Sequence, residues 1–80
     1  MQLLSGAQIR MARGLLRWSI QDLADKANIG TTTVRKLEKA DGVARDVRLP
    51  INEAVRDAFL ATGKLRFEDE TCVCAIDSQK

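Results

Sequence analysis

The sequence predicts a mostly α-helical fold of four to five helices closed by a C-terminal β-hairpin. Three observations point to it. Apolar residues recur at helical spacing through most of residues 5–62. Ser5, Ser19, Asn28, Gly30 and Pro50 fall where helices begin and end. The stretch "LRFEDETCVCAI", from Leu65 to Ile76, changes to strict alternation. Helical periodicity, cap chemistry and a switch to a period of two are the physical signatures of those elements.

The first helix is expected to start after Ser5, which with Gln8 fits a capping box, each side chain taking a free N–H group of the other residue. Leu4 is placed to staple onto Ile9, and Ile9, Ala12, Leu15 and Leu16 make one apolar stripe. Gly14 reads as a close approach by another helix. Ser19 is a second N-cap, with Asp22 three residues on at the positive end of the helix dipole. Leu23, Ala24 and Ala27 line that helix's inner face. Asn28 suits the left-handed conformation that ends a helix. After Ile29, Gly30 serves as the next N-cap, and Thr31 to Lys39 form a short helix burying Val34 and Leu37. Three threonines at its head are unusual, because a β-branched side chain is stiff against the preceding turn.

"ADGVARDVR" reads as an irregular polar connection. Leu49-Pro50 opens a helix, since proline fits a first helical position. Ile51, Ala54, Val55, Ala58 and Phe59 give its stripe through Leu60, and Gly63 ends it at C′. In the tail, a two-residue Asp69-Glu70 turn pairs Phe67 with Cys72 and Leu65 with Cys74. One face is then Leu65, Phe67, Cys72, Cys74 and Ile76, and the other Arg66, Glu68, Thr71, Val73 and Ala75. Asp-Glu is a poor primed turn, so a longer loop is the alternative.

Eighty residues suit one small unit with a modest core: a helical body over 1–64 and a hairpin with an acidic tail over 65–80. Net charge is only +2, but it is unevenly spread. Residues 1–66 carry twelve Lys/Arg against seven Asp/Glu, and residues 67–80 one against four. A basic body with an acidic tail suits an anion-binding body. The chain has no histidine, the commonest general base and a frequent metal ligand, so an enzyme is not expected, nor is any cofactor or metal. Cys72 and Cys74 lie one residue apart, which suits neither a zinc site nor a CxxC redox motif. They read as small apolar strand residues, with a redox-sensing pair as the sharper alternative. With no membrane-spanning apolar run and no signal-peptide pattern, a cytoplasmic protein is expected.

Residues 19–39 form two short helices joined by the turn Asn28-Ile29-Gly30, the helix-turn-helix plan. Small Ala24 permits a close crossing. Leu23, Ile29, Val34 and Leu37 pin its angle, each buried side chain contributing about 1.5–3 kcal/mol. The head of the second helix then projects outward, its hydroxyls and methyls suited to base edges or phosphates. Arg35, Lys36 and Lys39 add charge along it.

The run "RMARGLLRWSIQDLADKANIGTTTVRKLEKADG" resembles the DNA-binding domain of the Cro and phage-repressor-like, or XRE-like, regulators, over about residues 5–62. The residues that carry the resemblance are Trp18-Ser19, Leu23-Ala24, Ala27, Ile29, Val34 and Leu37-Glu38. It implies a repressor-like helix-turn-helix domain that binds double-stranded DNA sequence-specifically, as a homodimer, and regulates transcription. By that resemblance Thr31, Thr32, Thr33 and Lys36 contact bases in the major groove. Arg35, Lys39, Arg45, Arg48 and Arg17 contact phosphates, and Arg13 pairs with Glu38 to brace the recognition helix. Ser19 is either a cap alone or also a phosphate contact through its N–H. Trp18 is expected in the core. Family members usually carry Gln, a phosphate clamp, where this chain has Ile20, so Gln21 or Ser19 takes over that role or it is lost. An exposed Ile20 would favour the alternative, a protein-interaction module on the same fold, antitoxin-like or anti-activator. The apolar face of the hairpin, or the end of the last helix, is the expected dimer surface.

Overall fold

Ser5, Ser19 and Gly30 each open a helix, and Asn28 bends the chain between two of them. The computed structural model describes residues 3–40, 48–67 and 73–76. They form α1 (Gly6–Leu16), α2 (Ile20–Ala27), α3 (Thr31–Lys39), α4 (Leu49–Leu60), β1 (Leu65–Phe67) and β2 (Val73–Ala75). Arg45, Cys72 and the Asp69-Glu70 turn lie outside the described residues. The fold is mostly helical, with a small antiparallel C-terminal hairpin.

The capping box expected at Ser5 is present, and the N-cap expected at Ser19 is a capping box as well. The Gln8 N–H donates to Ser5 Oγ at 3.2 Å and the Ser5 N–H to Gln8 Oε1 at 3.1 Å. The Asp22 N–H donates to Ser19 Oγ at 3.0 Å and the Ser19 N–H to Asp22 Oδ2 at 2.9 Å. Asn28 ends α2 in the left-handed region, φ 58°, and the Ile29 N–H closes the motif on the Ala24 carbonyl at 2.9 Å. Arg17 ends α1 in the same way at φ 59°, with the Trp18 N–H on the Arg13 carbonyl at 2.9 Å. Its sequence carries no sign of this, because arginine pays a steric cost there that only the surrounding fold offsets. Gly63 has φ 69°, but it falls one position later than C′, because Ala61 is the C-cap of α4.

The core collects Leu4, Ile9, Ala12, Leu23, Ala24, Val34, Leu37, Val55, Phe59 and Leu65, all buried. Trp18 packs on it and stacks against Phe59, ring centroids 5.5 Å apart and planes at 23°. Phe59 in turn meets Phe67 at 6.1 Å, tilted by 60°, which ties the hairpin to α4. Asn52, fully enclosed on α4, grips the chain before α1: Leu4 N–H donates to its Oδ1 at 2.9 Å and its Nδ2 to the Leu4 carbonyl at 3.1 Å. One amide thus satisfies both backbone groups of a buried residue, which would otherwise be costly.

Three further expectations are corrected. The hairpin pairs Phe67 with Val73, Arg66 with Cys74 and Leu65 with Ala75. It is therefore offset by one residue from a two-residue turn, and a one-residue slip exchanges the faces. Val73 now joins Leu65 and Phe67 on the core, while Cys74 stands across from Arg66 on the other side. Phe67 and Val73 on that face pack against the core. Leu15 belongs to the outer side of α1 and is 42% exposed. Finally, a Cβ on Gly14 would meet nothing within 4 Å, whereas one on Gly6 would lie 2.7–2.8 Å from the carbonyl oxygens of Leu37, Glu38 and Ala40. The close approach is at Gly6, where the first turn of α1 abuts the end of α3.

Candidate nucleic-acid interface

Helix α3 is held by its inner residues and presents the rest. Val34 and Leu37 are buried, and Glu38 nearly so. Thr32, Arg35, Lys36 and Lys39 are exposed, and Thr31 and Thr33 are half-buried beside them. The spacing of Thr32, Arg35, Lys36 and Lys39 places them on one stripe of the helix surface. That stripe contains no acid. No side chain caps the helix at Gly30, so its first N–H groups keep the partial positive charge of a helix start. Arg35, Lys36 and Lys39 make no hydrogen bond or ion pair among the described residues.

The one acid on α3 is neutralised from behind. Arg13 Nε donates to Glu38 Oε2 at 2.7 Å and Nη2 to Oε1 at 3.1 Å, while Nη1 reaches the Trp18 carbonyl at 3.0 Å. The two side chains are 23% and 9% exposed. The hydrogen bond to Glu38 raises the pKa of Arg13 above its already high value, with partial burial opposing and the Glu38 charge adding to the rise. A two-pronged contact of this kind fixes direction as well as distance. It sets the rotation of α3 against α1, and so determines which residues face out.

A second arginine on α1 reaches the same place. Arg10 Nη1 donates to the Glu38 carbonyl at the end of α3. Arg10, Arg35, Lys39 and Glu38 line a cleft of about 340 Å³ at the seam of the two helices. Sequence reasoning missed Arg10. The signal was present in the spacing of Arg10, Arg13 and Arg17, a basic row along one side of α1.

The remaining expected positions are placed as follows. Arg48 is exposed at the N-cap of α4 and Arg17 at the end of α1, and neither lines the cleft. Ser19 engages Asp22 with both its N–H and its hydroxyl, and the acid holds the start of α2. Gln21 Nε2 donates to Asp25 Oδ1 at 2.9 Å, one turn along its own helix. Ile20 is half-buried against the core. Lys26 lies over the Trp18 ring, 5.8 Å from its centroid.

Among the described residues no group of three or more His, Cys, Asp or Glu lies together to hold a metal, and no helix is long and apolar enough to cross a membrane. No protein-family model, curated protein or solved structure matches the chain.

Proposed function

We propose that this chain is a sequence-specific double-stranded DNA-binding regulator of transcription that lays α3 in the major groove. The observation that carries the reading is the acid-free outer stripe of α3, with a hydroxyl-bearing head and three cations behind it that have no partner among the described residues. Such a helix end matches the groove chemically: short hydroxyls and methyls reach base edges, and the longer cations reach the flanking phosphates. In this reading Thr31, Thr32, Thr33 and Lys36 read bases. Arg35, Lys39, Arg17 and Arg48 hold phosphates, while Ser19 and Gln21 are engaged within α2. A second copy on a two-fold related site supplies the affinity that a single small module lacks.

The test is selection of preferred duplexes from a random pool, followed by a salt titration of binding to the selected and a scrambled duplex. The log–log slope with salt should be roughly −0.9 per phosphate neutralised. Lys36→Ala should relax the preference between duplexes, and Arg48→Ala should weaken both alike. No enrichment in the selection, or equal binding of every duplex by parent and variants, would refute the groove assignment.

A second reading, a protein-interaction module, draws on Met11 and Leu15. They lie one turn apart on the outer side of α1 and are 43% and 42% exposed.

A further inference from the structure

We propose that the cleft between α1 and α3, walled by Arg10, Arg35 and Lys39, is a subsite for a single phosphodiester of the DNA backbone. This deepens the DNA-binding reading and rests on it. Three positive side chains, from two helices, line it. The one acid in the lining, Glu38, has both carboxylate oxygens bound to Arg13, so its charge does not oppose an incoming anion. Arg35 and Lys39 have no partner among the described residues, and Arg10 uses one nitrogen on the Glu38 carbonyl. The remaining guanidinium nitrogens have no acceptor among the described residues, and they form the planar fork that suits phosphate oxygens. A volume of about 340 Å³ stands at the small end of ligand clefts, enough for one phosphate-bearing unit and too little for a large cofactor.

The position fits a groove wall. From Thr32 to Lys39 the helix rises on the order of 10 Å. The major groove is about 12 Å wide. A helix whose head reaches base edges therefore brings its far flank, where the cleft opens, up to one sugar-phosphate strand. The cleft is also set in advance. The Gly6 approach and the Arg13–Glu38 pair lock α1 to α3, and the Arg10 bond to the last turn of α3 orients its guanidinium before any ligand arrives.

The experiment titrates the full chain, labelled for arginine side-chain Nε–H signals, with a short random-sequence duplex and separately with inorganic phosphate. Salt slopes of duplex binding are measured for the parent, Arg10→Gln and Arg35→Gln. Arg35 is exposed and has no partner among the described residues, so its variant is expected to keep the fold even if Arg10→Gln does not, and Trp18 fluorescence checks both. The expected result is a shift of the Arg10 and Arg35 signals with either ligand, and a slope that falls by roughly 0.9 in each variant. Duplex binding with unchanged slopes and still Arg10 signals overturns the subsite and leaves Arg10 as a cap on α3, with the DNA reading intact. Shifts with phosphate but no duplex binding overturn the DNA source and assign the cleft to a free phosphorylated ligand. Silence with both ligands overturns the subsite and the DNA reading together.

Discussion

Arg13 holds Glu38 with two nitrogens, at 2.7 and 3.1 Å, and spends a third on the Trp18 carbonyl. This one contact joins α1, the start of α2 and the last turn of α3. It sets the angle at which α3 leaves the body, and it neutralises the one acid on that helix.

Arg13→Ala leaves a nearly buried carboxylate without its cation. The pair is neither fully enclosed nor fully wet, so the expected loss lies between the values for those cases, about 2–3 kcal/mol. Urea unfolding followed by Trp18 emission measures it. Glu38→Gln keeps an acceptor for one arginine nitrogen and should cost less, about 1 kcal/mol.

Gly6→Ala puts a methyl against three carbonyl oxygens at 2.7–2.8 Å, all of them backbone. Helix propensity favours alanine by about 1 kcal/mol. Overpacking opposes it by about 1–3 kcal/mol, so the variant is expected to be the less stable. Gly14→Ala is the control: its methyl points into open space, and the same propensity should stabilise the protein by about 0.5–1 kcal/mol. Denaturation midpoints of the two variants should therefore move in opposite directions.

Asn52→Leu keeps the volume but strands the N–H and carbonyl of Leu4, both enclosed. Leaving two backbone groups unpaired should cost about 2–4 kcal/mol. The Leu4 and Ser5 amides should also lose hydrogen-exchange protection before those of α2.

Asp22 accepts the Ser19 N–H, and this bond is the main cause of a carboxyl pKa below the ordinary value. The Ser19 hydroxyl and Lys26 push the same way, against a small desolvation effect. A lowered folded pKa means that the cap stabilises above the unfolded carboxyl's value of about 3.9. That contribution is lost as pH falls through the folded value. An NMR titration of the Asp22 side chain should give a midpoint below the ordinary range, and in Ser19→Ala the midpoint should rise.

What could be read from the sequence was local. Ser5 with Gln8, Ser19 with Asp22, and Asn28 fix helix ends through neighbours within four residues, so their geometry followed from short-range chemistry. The outer and inner sides of α3 followed from the spacing of Val34 and Leu37. What could not be read depended on contacts distant in the chain. Gly6 and Gly14 look alike in a helical stretch, and only the position of α3 distinguishes them. Asn52 occupies a position in α4 that reads as polar surface until Leu4 is placed beside it. The hairpin slipped because both of its faces carry apolar residues and Asp-Glu sets no register. Arg10 became part of the candidate site only once α1 and α3 were seen to share a seam.

Amide chemical-shift mapping with a short duplex tests most directly whether the outer stripe of α3 receives duplex DNA. The largest changes are predicted at Thr31, Thr32, Thr33 and Lys36, with smaller ones at Arg35 and Lys39. A spectrum unmoved by saturating duplex, or changes confined to Met11 and Leu15 on the far side of α1, would contradict it.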